Sequence, residues 1–195
     1  MPTSIVLIQG HPDPDPEHLC RALATAYAEG ARAAGHAVTL VDVAGLDFPI
    51  LRRPSAFDEE PVPETLVPAR DALLAADHIV VVFPLWLGTL PALTKGFFEQ
   101  VLHRRDAFED ADGSLVPKGR LKGKSARIVA TMGMPALAFR LWFRGHGTKS
   151  FERGVLAIAG VSPIRETLFG GVEAAGEAKR QSWIARMRRL GERAA

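Results

Sequence analysis

Short, unbroken apolar runs alternate along the chain with longer segments in which apolar positions recur every three or four residues. The first run, residues 4–9 (Ser-Ile-Val-Leu-Ile-Gln), is the pattern of a central parallel strand buried on both faces. Pro12, Pro14 and Pro16 forbid helix just after it, so a helix is expected from Glu17 or His18 to about Gly35, with Leu19, Leu23, Ala26 and Tyr27 at helical spacing. A second strand over 36–42 follows with almost no linker, which makes a βαβ unit. Residues 43–63, with Pro49, Pro54, Pro61 and Pro63, read as a long irregular connection.

Residues 64–76 read as a helix with Pro68 in its first turns, and 79–83 as the third and most apolar strand. Next comes Pro84-Leu85-Trp86-Leu87-Gly88-Thr89-Leu90, then a helix over 91–102 that Pro91 starts and Phe97, Phe98 and Val101 pack. A turning loop with Trp and Leu in place of polar turn residues is shaped to hold a flat apolar object or a partner chain. Residues 104–124 read as a loop with a small hairpin at Asp112-Gly113. The fourth strand is expected over 125–131, followed by a helix-like segment with Leu137, Leu141, Trp142 and Phe143. After Gly145-His146-Gly147, Thr148 is expected to cap a helix reaching Ala159, with Phe151, Val155, Leu156 and Ile158 buried. A fifth strand over 161–169, entered through Pro163, precedes a last helix over 173–193.

Five strands alternating with helices argue for an α/β protein, an open parallel sheet covered on both faces. At 195 residues, 47% of them hydrophobic, one domain over 1–195 is expected. Ligands of such sheets bind beyond the carboxyl ends of the strands, where strand order reverses, so loops 10–18, 84–90 and 132–137 are expected to share a crevice.

Loop 10–18 feeds a helix N-terminus, which suits a phosphate, yet neither Gly-x-Gly-x-x-Gly nor a Walker loop is present. It is either an anion pocket assisted by His11 and His18 or a rigid proline-rich turn with surface histidines. The Trp86 loop either supports an aromatic ring system or packs as core or subunit interface. His146 is either a proton donor or simply an exposed turn residue. His78 and His103 are expected to be structural or superficial, and no metal site is expected. Cys20 reads as a small buried hydrophobe, or as a thiol acidified by its helix N-terminus.

Twenty-four Lys and Arg against 22 Asp and Glu, a net +2, argue against a nucleic-acid partner. Arg180, Arg186, Arg188, Arg189 and Arg193 are expected on the solvated face of the last helix. A single cysteine excludes an intrachain disulfide and fits a reducing compartment. With neither a secretion signal nor an apolar run of about 20 residues, a soluble, cytoplasmic protein without membrane insertion is expected.

His11-Pro12-Asp13-Pro14, the segments Phe83-Pro84-Leu85-Trp86-Leu87-Gly88 and Pro91-Ala92-Leu93-Thr94-Lys95-Gly96-Phe97-Phe98, and Thr131-Met132-Gly133 together resemble the flavodoxin-like NAD(P)H:quinone oxidoreductases. That group includes the flavin-containing ancillary subunits of glutathione-gated potassium efflux systems. The resemblance implies a flavodoxin-like, doubly wound three-layer sandwich with a five-stranded parallel sheet. It implies FMN or FAD as cofactor, NAD(P)H as hydride donor, a quinone-like acceptor and a homodimer, or alternatively a regulatory subunit with a transporter partner. The short chain beyond the last helix favours FMN. Phosphate contacts are implied at His11, His18, Leu19 and Cys20, and ring contacts at Pro84, Leu85, Trp86, Leu87, Gly88, Thr131, Met132 and Gly133. The chain departs from the family in three places. His18-Leu19-Cys20 replaces a Ser-Phe-Asn-like set, Met132 replaces a glycine and is expected to crowd the ring, and Phe139 stands where a Tyr is common, which leaves His146 as the candidate proton donor.

Overall fold

The computed structural model describes residues 1–109 and 118–195, so the hairpin expected at Asp112-Gly113 lies outside the described residues. Five strands, β1 (Ser4–Gln9), β2 (Ala37–Asp42), β3 (His78–Pro84), β4 (Ser125–Met132) and β5 (Ile164–Gly170), pair in the order β2-β1-β3-β4-β5. Every pairing is parallel. The chain leaves β1 toward β2 and returns across it to β3, so strand order reverses between β1 and β3.

Alternation along the strands divides the core into two layers. Ile5, Leu7, Val80, Val82 and Val129 face α1 (Leu19–Ala33) and, with Phe169, the closing helix α8 (Glu177–Glu192), through Leu23, Tyr27 and Met187. Val6, Ile8, Ile79, Val81, Phe83, Ile128 and Ala130 face the other way, toward α3 (Val67–Ala75) and α4 (Ala92–Val101). Helices α1 and α8 approach so closely that a Cβ on Gly30 would overlap the Arg188 carbonyl, which only glycine avoids.

Several connections are more ordered than their composition suggests. Residues 43–63 contain a 3-10 turn, Val43–Gly45, and a short helix α2 (Pro54–Asp58) opened by its own proline. The helix expected over 64–76 splits into a 3-10 turn, Glu64–Leu66, and α3, because Pro68 forces a fresh first turn. A one-turn helix, α5 (Arg104–Ala107), follows α4.

The segment after β4 forms the expected helix and corrects two readings beyond it, the Thr148 cap and the buried Ile158. Helix α6 (Ala136–Leu141) buries only Phe139, leaving Leu137 67%, Leu141 73% and Trp142 85% exposed. Thr148 does not cap the next helix, α7 (His146–Phe151); left-handed Gly145 precedes it, and the Thr148 hydroxyl donates to the Gly145 carbonyl from inside the first turn. The chain then widens into a π-helical turn, Glu152–Ala157, whose extra residue carries Ile158 off the core face to the surface. Along α8 the arginines are not all solvated, since Arg180 donates to the carbonyls of Val172 and Ala175.

His78, at the start of β3, is buried and bonds Ser125 Oγ through Nδ1 at 2.7 Å. Burial, then the nearby Arg127 and Arg165, lowers its pKa to about 4. The unfolded chain therefore takes up this proton first, near pH 6.5. Stability is complete above pH 6.5 and declines as pH falls to about 4, by on the order of 3 kcal/mol at the lower end. Urea titrations across that window should reveal this slope in the parent chain, and a flatter one in His78→Gln.

Candidate functional site

The carboxyl ends of β1, β3 and β4 carry the three expected loops at one edge of the sheet. Gly10 continues β1 by donating to Val82 O at 2.7 Å, and the Thr94 hydroxyl of α4 donates to Gly10 O at 2.6 Å. A Cβ on Gly10 would stand 2.8 Å from Thr94 Cγ2, so glycine is what lets α4 close on the loop.

His11 is buried, and its main-chain N–H donates to Gln9 Oε1 at 3.0 Å. Its ring stacks on His18 with centroids 3.8 Å apart and stands edge-on to Trp86 at 5.9 Å. Burial, then the facing His18, lowers the pKa of His11, which favours its neutral ring. His18 Nε2 lies 3.0 Å from Asp13 Oδ2. That imidazole, then the Asp15 main chain, holds the exposed Asp13 carboxyl below its ordinary range. Arg21 fixes the loop from outside, pairing with Asp42 at 2.7 Å and donating to Asp13 O.

His18 occupies the N-cap of α1 without a side-chain cap. The Arg21 and Ala22 amides are satisfied by His18 O, which leaves those of Leu19 and Cys20 as the open donors of the first turn. Cys20 is buried with Sγ 3.1 Å from Thr131 Oγ1, and burial raises its thiol pKa to about 12. It is therefore an inert tie between α1 and β4, not an acidified thiol. Beside the loop, the buried Gln9 Nε2 has no partner.

On the other side, Leu85 N–H donates to Thr131 O at 2.7 Å, joining the Trp86 loop to the end of β4. Trp86 and Thr89 exchange two main-chain hydrogen bonds of 3.0 Å, with Leu87 (φ 46°) and Gly88 (φ 82°) between them. Two positive φ values inside a two-residue loop define a type I′ turn. It presents Leu87 entirely to solvent and Trp86 half-exposed, at 48%. Left-handed backbone at a leucine costs roughly 1–2 kcal/mol.

Pro84, Thr131 and Met132 are buried and Gly133 is exposed. Met132 packs into the layer facing α3 and α4, so it does not crowd the crevice. Phe139 is likewise buried, stacked on Phe143. His146 is exposed at the start of α7. The next residue, Gly147, abuts the turn so closely that a Cβ there would overlap Gly88 O. Gln9, Thr94, Arg21 and Gly147 escaped the sequence reading. A hydroxyl on the apolar face of α4 was the available signal for Thr94, while the other contacts depend on distant segments meeting.

A family model described as flavodoxin-like fold matches residues 3–191, and the chain belongs to that family. A solved NAD(P)H:quinone oxidoreductase from Methanothermobacter marburgensis superposes with a TM-score of 0.81 at 21% identity, covering 98% of this chain and 96% of that one. An FMN-dependent NADH-azoreductase from Bacillus anthracis, solved with FMN, gives a TM-score of 0.75 at 12% identity, covering 97% of each chain. A Haemophilus influenzae protein named as an uncharacterized NAD(P)H oxidoreductase is 27% identical over 124 residues, 63% of this chain and 60% of its own length.

The turn geometry can be tested without any ligand. Leu87→Asn, which gives the Asn-Gly pair that a type I′ turn favours, should stabilise the chain by about 1 kcal/mol in urea unfolding. Gly147→Ala should destabilise it by roughly 1–3 kcal/mol, because the new Cβ displaces the turn.

Proposed function

We propose that the chain, as one domain, is a flavin-dependent NAD(P)H:quinone oxidoreductase that passes two electrons from NAD(P)H to a quinone or related acceptor. One observation carries this reading. At the point where strand order reverses, the open first turn of α1 and the half-exposed Trp86 meet across the His11 and His18 rings. A phosphate and a flat ring system are the two ends of FMN. The names of the Methanothermobacter, Haemophilus and Bacillus relatives support the same chemistry.

The donor set fits the cofactor. The amides of Leu19 and Cys20 and the imidazoles of His18 and His11 would hold the phosphate, offering N–H groups where hydroxyls are absent. The orphaned Gln9 Nε2 adds a buried donor beside the same loop. Pro84, Leu85, Trp86, Leu87 and Gly88 would flank one part of the ring system, and Thr131, Met132 and Gly133 another, Met132 by its main chain. When bound, the flavin supplies the redox chemistry, and the protein supplies placement and electrostatics.

The chain's own parts then have separate tasks. The strained Leu87-Gly88 turn and half-exposed Trp86 exclude water from a flat acceptor and orient it. His146, which α7 carries up against the same turn, is the candidate proton donor to the reduced acceptor. The exposed Leu137, Leu141 and Trp142 of the α6 corner supply an apolar face for a second copy of the chain, so the functional unit is read as a homodimer. No helix among the described residues is long and apolar enough to cross a membrane.

Purified protein mixed with FMN should acquire bound flavin absorbance and oxidise NADH or NADPH when a quinone is added. Absence of flavin uptake from both FMN and FAD would sink the proposal. His18→Ala should weaken FMN binding by roughly tenfold or more while leaving riboflavin, which lacks the phosphate, unchanged in a fluorescence titration. Trp86→Ala should weaken both by up to about tenfold.

A further inference from the structure

The layer between the sheet and α1/α8 holds a positive charge that no carboxylate among the described residues balances. Arg127, the third residue of β4, shares the inner face with Val129 and is only 5% exposed. Its Nη1 donates to Thr167 Oγ1 at 2.6 Å, and its Nε has no partner. Among the described residues no carboxylate pairs with it.

The charged groups that act on Arg127 are themselves cations. Arg165 is its cross-strand neighbour in the β4–β5 register, and Arg186 reaches over from α8 with its guanidinium 5.8 Å above the Phe169 ring. Both are exposed. Tyr27 of α1 is the remaining neighbour; burial pushes its pKa well up, so it stays a neutral phenol. His78 faces the same group, with Nδ1 occupied by Ser125 and Nε2 unpartnered. A buried guanidinium without a counter-charge is among the costliest features a fold can carry.

We propose that Arg127, Arg165, Arg186 and His78 form a binding site for a small oxyanion of the phosphate class, at the amino-terminal edge of the sheet, opposite the flavin crevice. Arg127 forms the floor, oriented by Thr167. The exposed Arg165 and Arg186 form the mouth. Guanidinium forks match the geometry of phosphate oxygens, and this set supplies three of them with no carboxylate paired to Arg127 among the described residues.

Thermal unfolding of the FMN-saturated protein, in inorganic phosphate or sulfate against chloride at equal ionic strength, tests the site. Phosphate should raise Tm saturably, by roughly 5–10 °C at a hundredfold excess over its dissociation constant. The double variant Arg165→Gln/Arg186→Gln, altered only at exposed positions, should lose most of that response. Arg127→Met should lose it too, and should melt at or above the parent without phosphate, because an unpaired buried charge has gone. Should Arg127→Met fail to fold, the double variant still decides. Adenosine 2′,5′-bisphosphate acting at much lower concentration than inorganic phosphate would identify a nucleotide as the source of the oxyanion, and an equal or weaker effect the free ion. No saturable response in the parent, or an undiminished one in the double variant, overturns the site.

Discussion

The crevice depends on the sheet's hydrogen-bond ladder continuing past its strands. Gly10 N–H reaches Val82 O and Leu85 N–H reaches Thr131 O, each at 2.7 Å, so both loops leave the sheet along fixed directions. Each such bond contributes only about 1 kcal/mol net, yet together with Thr94 on Gly10 O they decide where every other group stands. From that frame follow the His11 and His18 stack, the Cys20 contact with Thr131, and the edge-on approach of Trp86. Functional groups on loops need a rigid scaffold of this kind.

The two ends of the α1/α8 layer solve opposite problems. At the carboxyl edge lie open main-chain donors of α1 and the neutral-leaning His11, with no full positive charge buried beside them among the described residues. At the amino edge a full guanidinium is buried, and among the described residues its one hydrogen bond is to a hydroxyl. Partial charges on fixed dipoles are easily carried by a fold, whereas a buried ion needs a partner.

Much of the architecture was readable from local pattern. The five strands follow from five apolar runs, and the meeting of three loops follows from doubly wound topology once those runs alternate with helices. Pro68 and Pro91 mark the helix starts near them because proline's fixed φ suits a first turn. The limits are equally physical. Leu87 carries no signature of positive φ, since leucine avoids that region and only the paired hydrogen bonds of Trp86 and Thr89 impose it. Ile158 looked buried because helical spacing assumes 3.6 residues per turn, and the π-helical turn breaks that count. Leu137 and Leu141 of α6 recur at helical spacing yet lie outside, because periodicity identifies an apolar face without saying what covers it.

The contact of Gly147 with Gly88 has a mechanical meaning. With no side chain between them, the backbone of α7 and the tip of the turn touch directly, leaving no slack for one to slide past the other. A hinge motion that lifted the Trp86 tip would have to carry α7, and the π-helical turn behind it, as a single body. Movement of the turn is then resisted by the stiffness of that whole block rather than by that of a loose flap.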